Sequence, residues 1–135
     1  MSKPELTYDA KAMARMALAC LDLTDLNDDS TESAVLDLCD RALTAHGPVA
    51  AICIWPRFVS AARKKLGPLS PVRIATVVNF PSGSLPSDTV VGETVTAIAD
   101  GADEIDVVIP YAALKAGDEG AVRDLVTVAR ASTPA

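Results

Sequence analysis

Asp106 stands in the middle of a short, largely apolar strand within GADEIDVVIPY at residues 101–111, where Asp103 and Glu104 precede it. The run reads as a short strand buried on both faces of a parallel sheet. An ionised carboxylate costs several kcal/mol to bury alone, so Asp106 requires a partner, a raised pKa or a task. Acids perturbed in this way are enriched at functional sites, where they exchange protons. A second acid stands in LDLTDL at residues 21–26. Strand side chains alternate, so Asp22 and Thr24 share one face there. The same rule groups Ala51, Cys53 and Trp55 in one strand, and Glu104, Asp106 and Val108 in another. Asp22 and Asp106 fall near the carboxyl ends of their strands, where parallel α/β folds gather ligands.

Structural roles compete with these. Asp106 would also suit bonding to the amides of a neighbouring loop, and Asp-x-Thr suits a turn entry. Cys53 has no adjacent histidine and reads as a small buried hydrophobe. Trp55 reads as packing a sheet end, and His46, beside Gly47-Pro48, as a solvated helix-end residue. NFPSG at residues 79–83 holds one glycine, and neither GxGxxG nor GxxxxGK[ST] occurs. One histidine and three cysteines without CxxC spacing lead to no expected metal site.

The elements that must position these residues follow from periodicity. Leu6, Ala10, Met13, Ala17 and Leu21 have helical spacing over about residues 5–20, and LDLTDL alternates as a strand does. Asp29 with Glu32 forms a capping-box pattern before a helix whose stripe is Val35, Leu36, Cys39 and Leu43. VAAICIW at 49–55 is a central strand, and Pro56 opens the next helix. VRIATVVNF at 72–80 is the third strand. A helix over about 88–100 stops at Gly101, EIDVVI is the fourth strand, and a last helix spans about 118–131. Four βα units after a leading helix imply a parallel sheet, either open and doubly wound or part of a (βα)8 barrel.

Composition narrows the class. Half the residues are hydrophobic and the net charge is −6, with no basic cluster, which argues against nucleic-acid binding. The charged N-terminus is unlike a signal peptide, and no apolar run is long enough to cross a membrane. Unpaired cysteines fit a reducing compartment, so a cytoplasmic protein is expected.

LDLTDLNDD, AAICIWPRF, VRIATVVNFPSG and GADEIDVVIPY, in this order and spacing, closely resemble the N-terminal part of the deoxyribose-phosphate aldolase family. The resemblance runs from about Leu21 to Tyr111. It implies a (βα)8 barrel of which residues 1–135 form a single partial domain, the first four βα units plus a leading helix. It also implies cofactor-free, metal-free cleavage of 2-deoxyribose 5-phosphate to acetaldehyde and glyceraldehyde 3-phosphate. A lysine forms a Schiff base with the carbonyl, and a second lysine and an aspartate move protons. By resemblance that aspartate is Asp106. Asp22 and Thr24 match first-strand pocket residues, and Leu26, Cys53 and Phe80 match positions lining the substrate cavity.

The family's two lysines and its phosphate-binding region belong to the second half of the barrel. Lys3, Lys11, Lys64, Lys65 and Lys115 all lie outside the expected strands, so the chain alone is expected to be inactive. The expected partners are a small phosphorylated sugar or aldehyde, and either further copies of the chain or a complementing second half. The alternative function is a non-catalytic half-barrel acting as an assembly module. A barrel cut after four units also predicts that Ala51, Cys53, Ala75, Val77 and Val108 meet water.

Overall fold

The structure is a computed structural model that describes residues 9–134. Leu6, Lys3 and the expected first turn of the leading helix lie outside the described residues. Helix α1 (Ala10–Ala19) opens at Asp9, whose carboxylate accepts from the amides of Lys11 and Ala12. Strand β1 (Asp22–Asp25) follows, then helix α2 (Glu32–Arg41). Thr31, not Asp29, caps α2 by accepting from the Ala34 amide. A hydroxyl adjacent to the first helical residue reaches that amide, whereas Asp29 lies in the preceding turn.

A small hairpin of β2 (Leu43–Thr44) and β3 (Gly47–Pro48) then replaces the expected end of the helix. It corrects two expectations. Leu43 is exposed there, and Leu38 takes its place in the buried stripe with Val35 and Cys39. His46 sits in the hairpin turn and not at a helix end.

The remaining elements are β4 (Ala51–Ile54), a 3-10 turn at Pro56–Phe58, α3 (Val59–Leu66), β5 (Arg73–Val78), α4 (Ser87–Ala99) and β6 (Glu104–Val107). A short α5 (Tyr111–Lys115), absent from the sequence reading, precedes α6 (Glu119–Ala131). Gly67 and Gly101 end α3 and α4 with φ of 81° and 105°. A Cβ at Gly101 would meet the Arg63 side chain at 2.9 Å, so that position needs glycine for space as well as for φ. Among the described residues, no helix is long and apolar enough to cross a membrane.

The main sheet is parallel with order β1-β4-β5-β6. Apart from the hairpin this is chain order, with no reversal of the kind that marks a doubly wound sheet. The helices lie on one face. There Ile52, Ile54 and Ile74 pack with Val35, Leu38, Val59 and Ala62, and Val78 packs with Val90 and Leu125. The buried apolar residues of the other face are Ala51, Cys53, Ala75 and Val77, with Leu26, Trp55 and Phe80 around them. A sheet with helices outside and small residues inside is a barrel wall, here four strands of it.

Arg63 ties the floor of this wall together. Its guanidinium donates twice to the Gly101 carbonyl, once to Gly67 and once to Asp103 Oδ2 at 2.5 Å. The same Asp103 oxygen accepts from the Ile74 amide at 2.8 Å, which pins β5 to the start of β6.

Candidate active site

The register places Asp22 and Thr24 of β1, Ala51 and Cys53 of β4, Arg73, Ala75 and Val77 of β5, and Glu104 and Asp106 of β6 on the inner face. The sequence grouping of Asp22 with Thr24, and of Glu104 with Asp106, therefore describes one surface. Its lower end holds a loose ion pair, Arg73 Nε to Glu104 Oε1 at 3.7 Å. Higher up, the Cys53 thiol donates to Asp106 Oδ2 at 3.6 Å. β5 lies between these two strands, and the small side chain of Ala75 lets Asp106 reach across it.

Burial differs from expectation in two respects. Asp106 is exposed, because β6 is an edge strand in this chain, not one covered on both sides. Ala51, Cys53, Ala75 and Val77 are buried, not wet. They are small, they lie on the two central strands, and Trp55, Phe80 and Leu26 lean over them. Val108 is half-buried.

The Cys53 thiol is pushed up to about 12, first by burial, then by the Asp106 charge and the bond to it, with Asp22 adding a weaker repulsion. A thiol held neutral at this level is a weak nucleophile, as its lack of an adjacent histidine suggested. Asp22 and Thr24 are exposed at the other edge, where the Thr24 hydroxyl donates to the Asp22 carbonyl at 3.1 Å. Phe80 meets Trp55 edge to face, with centroids 5.3 Å apart. Cys53, Leu26, Phe80 and Asp106 thus form one cluster in the upper half of the wall, and Thr24 borders it.

Two loops over the strand ends fix that cluster, a role the sequence reading gave to neither, since it weighed NFPSG only as a phosphate-binding loop. After β1, Asp25 accepts from the Asn27 amide and side chain and from the Ser30 hydroxyl at 2.6 Å. The Ser30 bond is the main cause holding its carboxyl below the usual range. The loop so formed offers the Asn27 carbonyl to Trp55 Nε1 at 3.0 Å.

After β5, Asn79 is buried with φ of 58°. Its amide donates to Glu93 Oε2, its Nδ2 to the Val108 carbonyl at 2.7 Å, and its Oδ1 accepts from the Leu85 amide at 2.8 Å. The loop lies so close to the β6 exit that a Cβ on Gly83 would collide with the Ile109 carbonyl. Asn79 therefore holds Phe80 and the strand carrying Asp106 in one frame. The available signal was an asparagine at a strand end, a residue type that tolerates left-handed φ.

Among the described residues, no lysine lies on a strand. Lys11 is on α1, Lys64 and Lys65 are on α3, and Lys115 is on α5 with its Nζ 5.8 Å from the Tyr111 ring centroid.

A parallel wall with outer helices and an acid-bearing inner face is half of a (βα)8 barrel. A family model described as DeoC/LacD family aldolase matches residues 16–135, and the chain belongs to that family. It is 56% identical over 117 residues to a deoxyribose-phosphate aldolase of Agrobacterium fabrum, an alignment covering 87% of this chain and 45% of that protein. A crystal structure assigned as a deoxyribose-phosphate aldolase from Coccidioides immitis superposes with a TM-score of 0.81 at 29% identity, over 96% of this chain and 49% of that one. The tetrameric deoxyribose phosphate aldolase of Aeropyrum pernix gives a TM-score of 0.69 at 26% identity, over 87% and 49%. The chain spans about half the length of these relatives.

Proposed function

We propose that this chain supplies the acid-bearing half of a deoxyribose-phosphate aldolase site, for reversible cleavage of 2-deoxyribose 5-phosphate through a lysine Schiff base. Asp106 is the proton-relay acid, Asp22 and Thr24 contact the sugar, and Leu26, Cys53 and Phe80 shape the cavity. The supporting observation is Asp106 itself. Its carboxylate lies on the inner face, accepts from Cys53 and is exposed. An imine withdraws electrons from the breaking C–C bond, and a neighbouring carboxylate then takes and returns the proton.

With no lysine on a described strand, the imine-forming amine and the phosphate site come from a second set of βα units. The 135 residues alone are therefore inactive. The chemistry calls for no cofactor, and three unpaired thiols suit the reducing cytoplasm, where deoxyribonucleoside breakdown would use it. A second reading is an assembly module without catalysis, favoured by the two unpaired sheet edges at β1 and β6.

Complementation separates the two. The chain is mixed with the part of the Agrobacterium fabrum relative that lies beyond the matched region. Cleavage activity and a borohydride-trapped acetaldehyde adduct are expected in the mixture only. Asp106→Asn should lower the restored rate by about 100- to 10,000-fold while leaving association intact. A well-formed complex without activity would favour the assembly reading.

A further inference from the structure

A groove of about 510 Å³ lies on the outer face of the wall, between α2 and α3. The two helices follow β1 and β4, which pair side by side, and Val35, Leu38 and Cys39 of α2 pack with Val59 and Ala62 of α3 in one core. Glu32 and Leu36 line the α2 side, and Arg57, Ser60, Ala61 and Lys64 line the other. Arg57, Ser60 and Lys64 recur at intervals of three and four residues, so they form one stripe along α3 and the 3-10 turn before it. The chain as a whole carries a net charge of −6, yet this stripe is cationic. Lys65 beside it is taken by Asp40 at 2.9 Å, whereas Arg57 and Lys64 have no ion-pair partner among the described residues. The Ser60 hydroxyl is also unused there, although Thr94, Thr127 and Ser132 each bond back to the carbonyl four residues earlier. Arg57 is held in place without being neutralised. Its guanidinium lies 4.6 Å from the Phe58 ring centroid and 5.2 Å from that of Trp55, and Nη2 donates to the Asp28 carbonyl at 3.4 Å. Most of its donors remain available.

We propose that this groove binds a small organic phosphate, with the phosphate on Arg57, Ser60 and Lys64 and the organic part against Leu36 and Ala61. A guanidinium fork, a hydroxyl and an ammonium supply the donors that the several acceptor oxygens of a phosphate take up. Leu36 and Ala61 are half-buried and give the groove an apolar floor. Its volume is that of a small-molecule site. One group opposes an anion. Glu32 is the single acid among the lining residues, and its repulsion gives the site a signature. The groove lies outside the wall, so the inference is independent of the chemistry proposed for the inner face, and an inactive chain leaves it standing.

Isothermal titration calorimetry of the full chain at low ionic strength tests it, with phenyl phosphate and inorganic phosphate as the two probes. Saturable binding of phenyl phosphate is expected, tighter than that of inorganic phosphate because the ring adds contact with Leu36 and Ala61. Lys64→Ala should weaken it by about fivefold and Ser60→Ala by about threefold, whereas Glu32→Gln should tighten it by about threefold. Arg123→Ala removes an equal charge from an exposed position on α6 and should leave binding unchanged. Far-UV dichroism checks that each variant is folded. Failure of phenyl phosphate to saturate at millimolar concentration would overturn the proposal. So would indifference to Lys64→Ala, Ser60→Ala or Glu32→Gln, or an equal loss in Arg123→Ala. Equal affinity for the two probes would overturn it as well, because the groove would then hold an adventitious ion only.

Discussion

Replacing Asn79 with alanine removes the one side chain that joins β5, the following loop and the exit of β6. Two partners are left behind, the half-buried Val108 carbonyl and the Leu85 amide at a more exposed position. An orphaned buried polar group costs about 1–3 kcal/mol, and the carbonyl bears most of that here because water reaches Leu85 more readily. Alanine must also hold φ near 58°, which costs about 1–2 kcal/mol. The sum is about 3 kcal/mol, a large share of the roughly 5–15 kcal/mol that stabilises a domain. With a urea slope of about 1–3 kcal/mol/M, the midpoint should fall by about 1–3 M. Trp55 is the sole tryptophan and touches Phe80, so its fluorescence reports the loop directly while far-UV dichroism reports the fold. Protein concentration must be fixed, because association adds to apparent stability. Asn79→Asp sharpens the test. It keeps the acceptor for Leu85 but turns a donor into a carboxylate facing the Val108 carbonyl, so at neutral pH it should be less stable than the alanine variant. An aspartate variant as stable as wild type, or an alanine variant within about 0.5 kcal/mol of it, would refute the reasoning.

Other outcomes follow from the same geometry. Cys20 is exposed whereas Cys39 and Cys53 are buried with raised pKa values, so alkylation near pH 8 should label Cys20 first. Asp106→Asn removes a charge that opposes the Cys53 thiolate and should speed labelling of Cys53 specifically, as peptide mapping would show. Because Cys53 keeps its proton up to about 12 when folded and loses it from about 9 when unfolded, it costs stability as pH rises between those values. Cys53→Ala should flatten that alkaline decline relative to wild type in denaturant titrations. Arg63→Met leaves the Gly101 carbonyl and Asp103 without their shared donor, and should lower stability by about 2–4 kcal/mol by the same urea assay.

The inner face was legible in the sequence because strand periodicity is strict. Asp22 with Thr24, and Glu104 with Asp106, needed only alternation to be placed together. What alternation does not encode is which strand is an edge, and that is why Asp106 was expected to be buried. Its apolar neighbours Val107 and Ile105 pack towards α4 and α6 on one side only. Nor does it encode curvature, which lets four small or medium side chains on β4 and β5 bury one another under Trp55 and Phe80. The loops were least legible. Asn79 acts through Val108, Leu85 and Glu93, whose positions depend on a folded neighbour, and its one local mark is an asparagine at a strand end; Asp25 bonds within its own loop, to Asn27 and Ser30, and alternation says nothing of that loop. Yet these two residues set the height of Phe80 and Trp55 above Cys53, and with it the space in front of Asp106. A site built this way separates its parts. The strands fix which side chains face inward, and the loops fix how far apart they stand. Substitutions in the strands should therefore alter the chemistry a completed barrel can perform, whereas substitutions at Asn79 or Asp25 should first alter what fits in front of it.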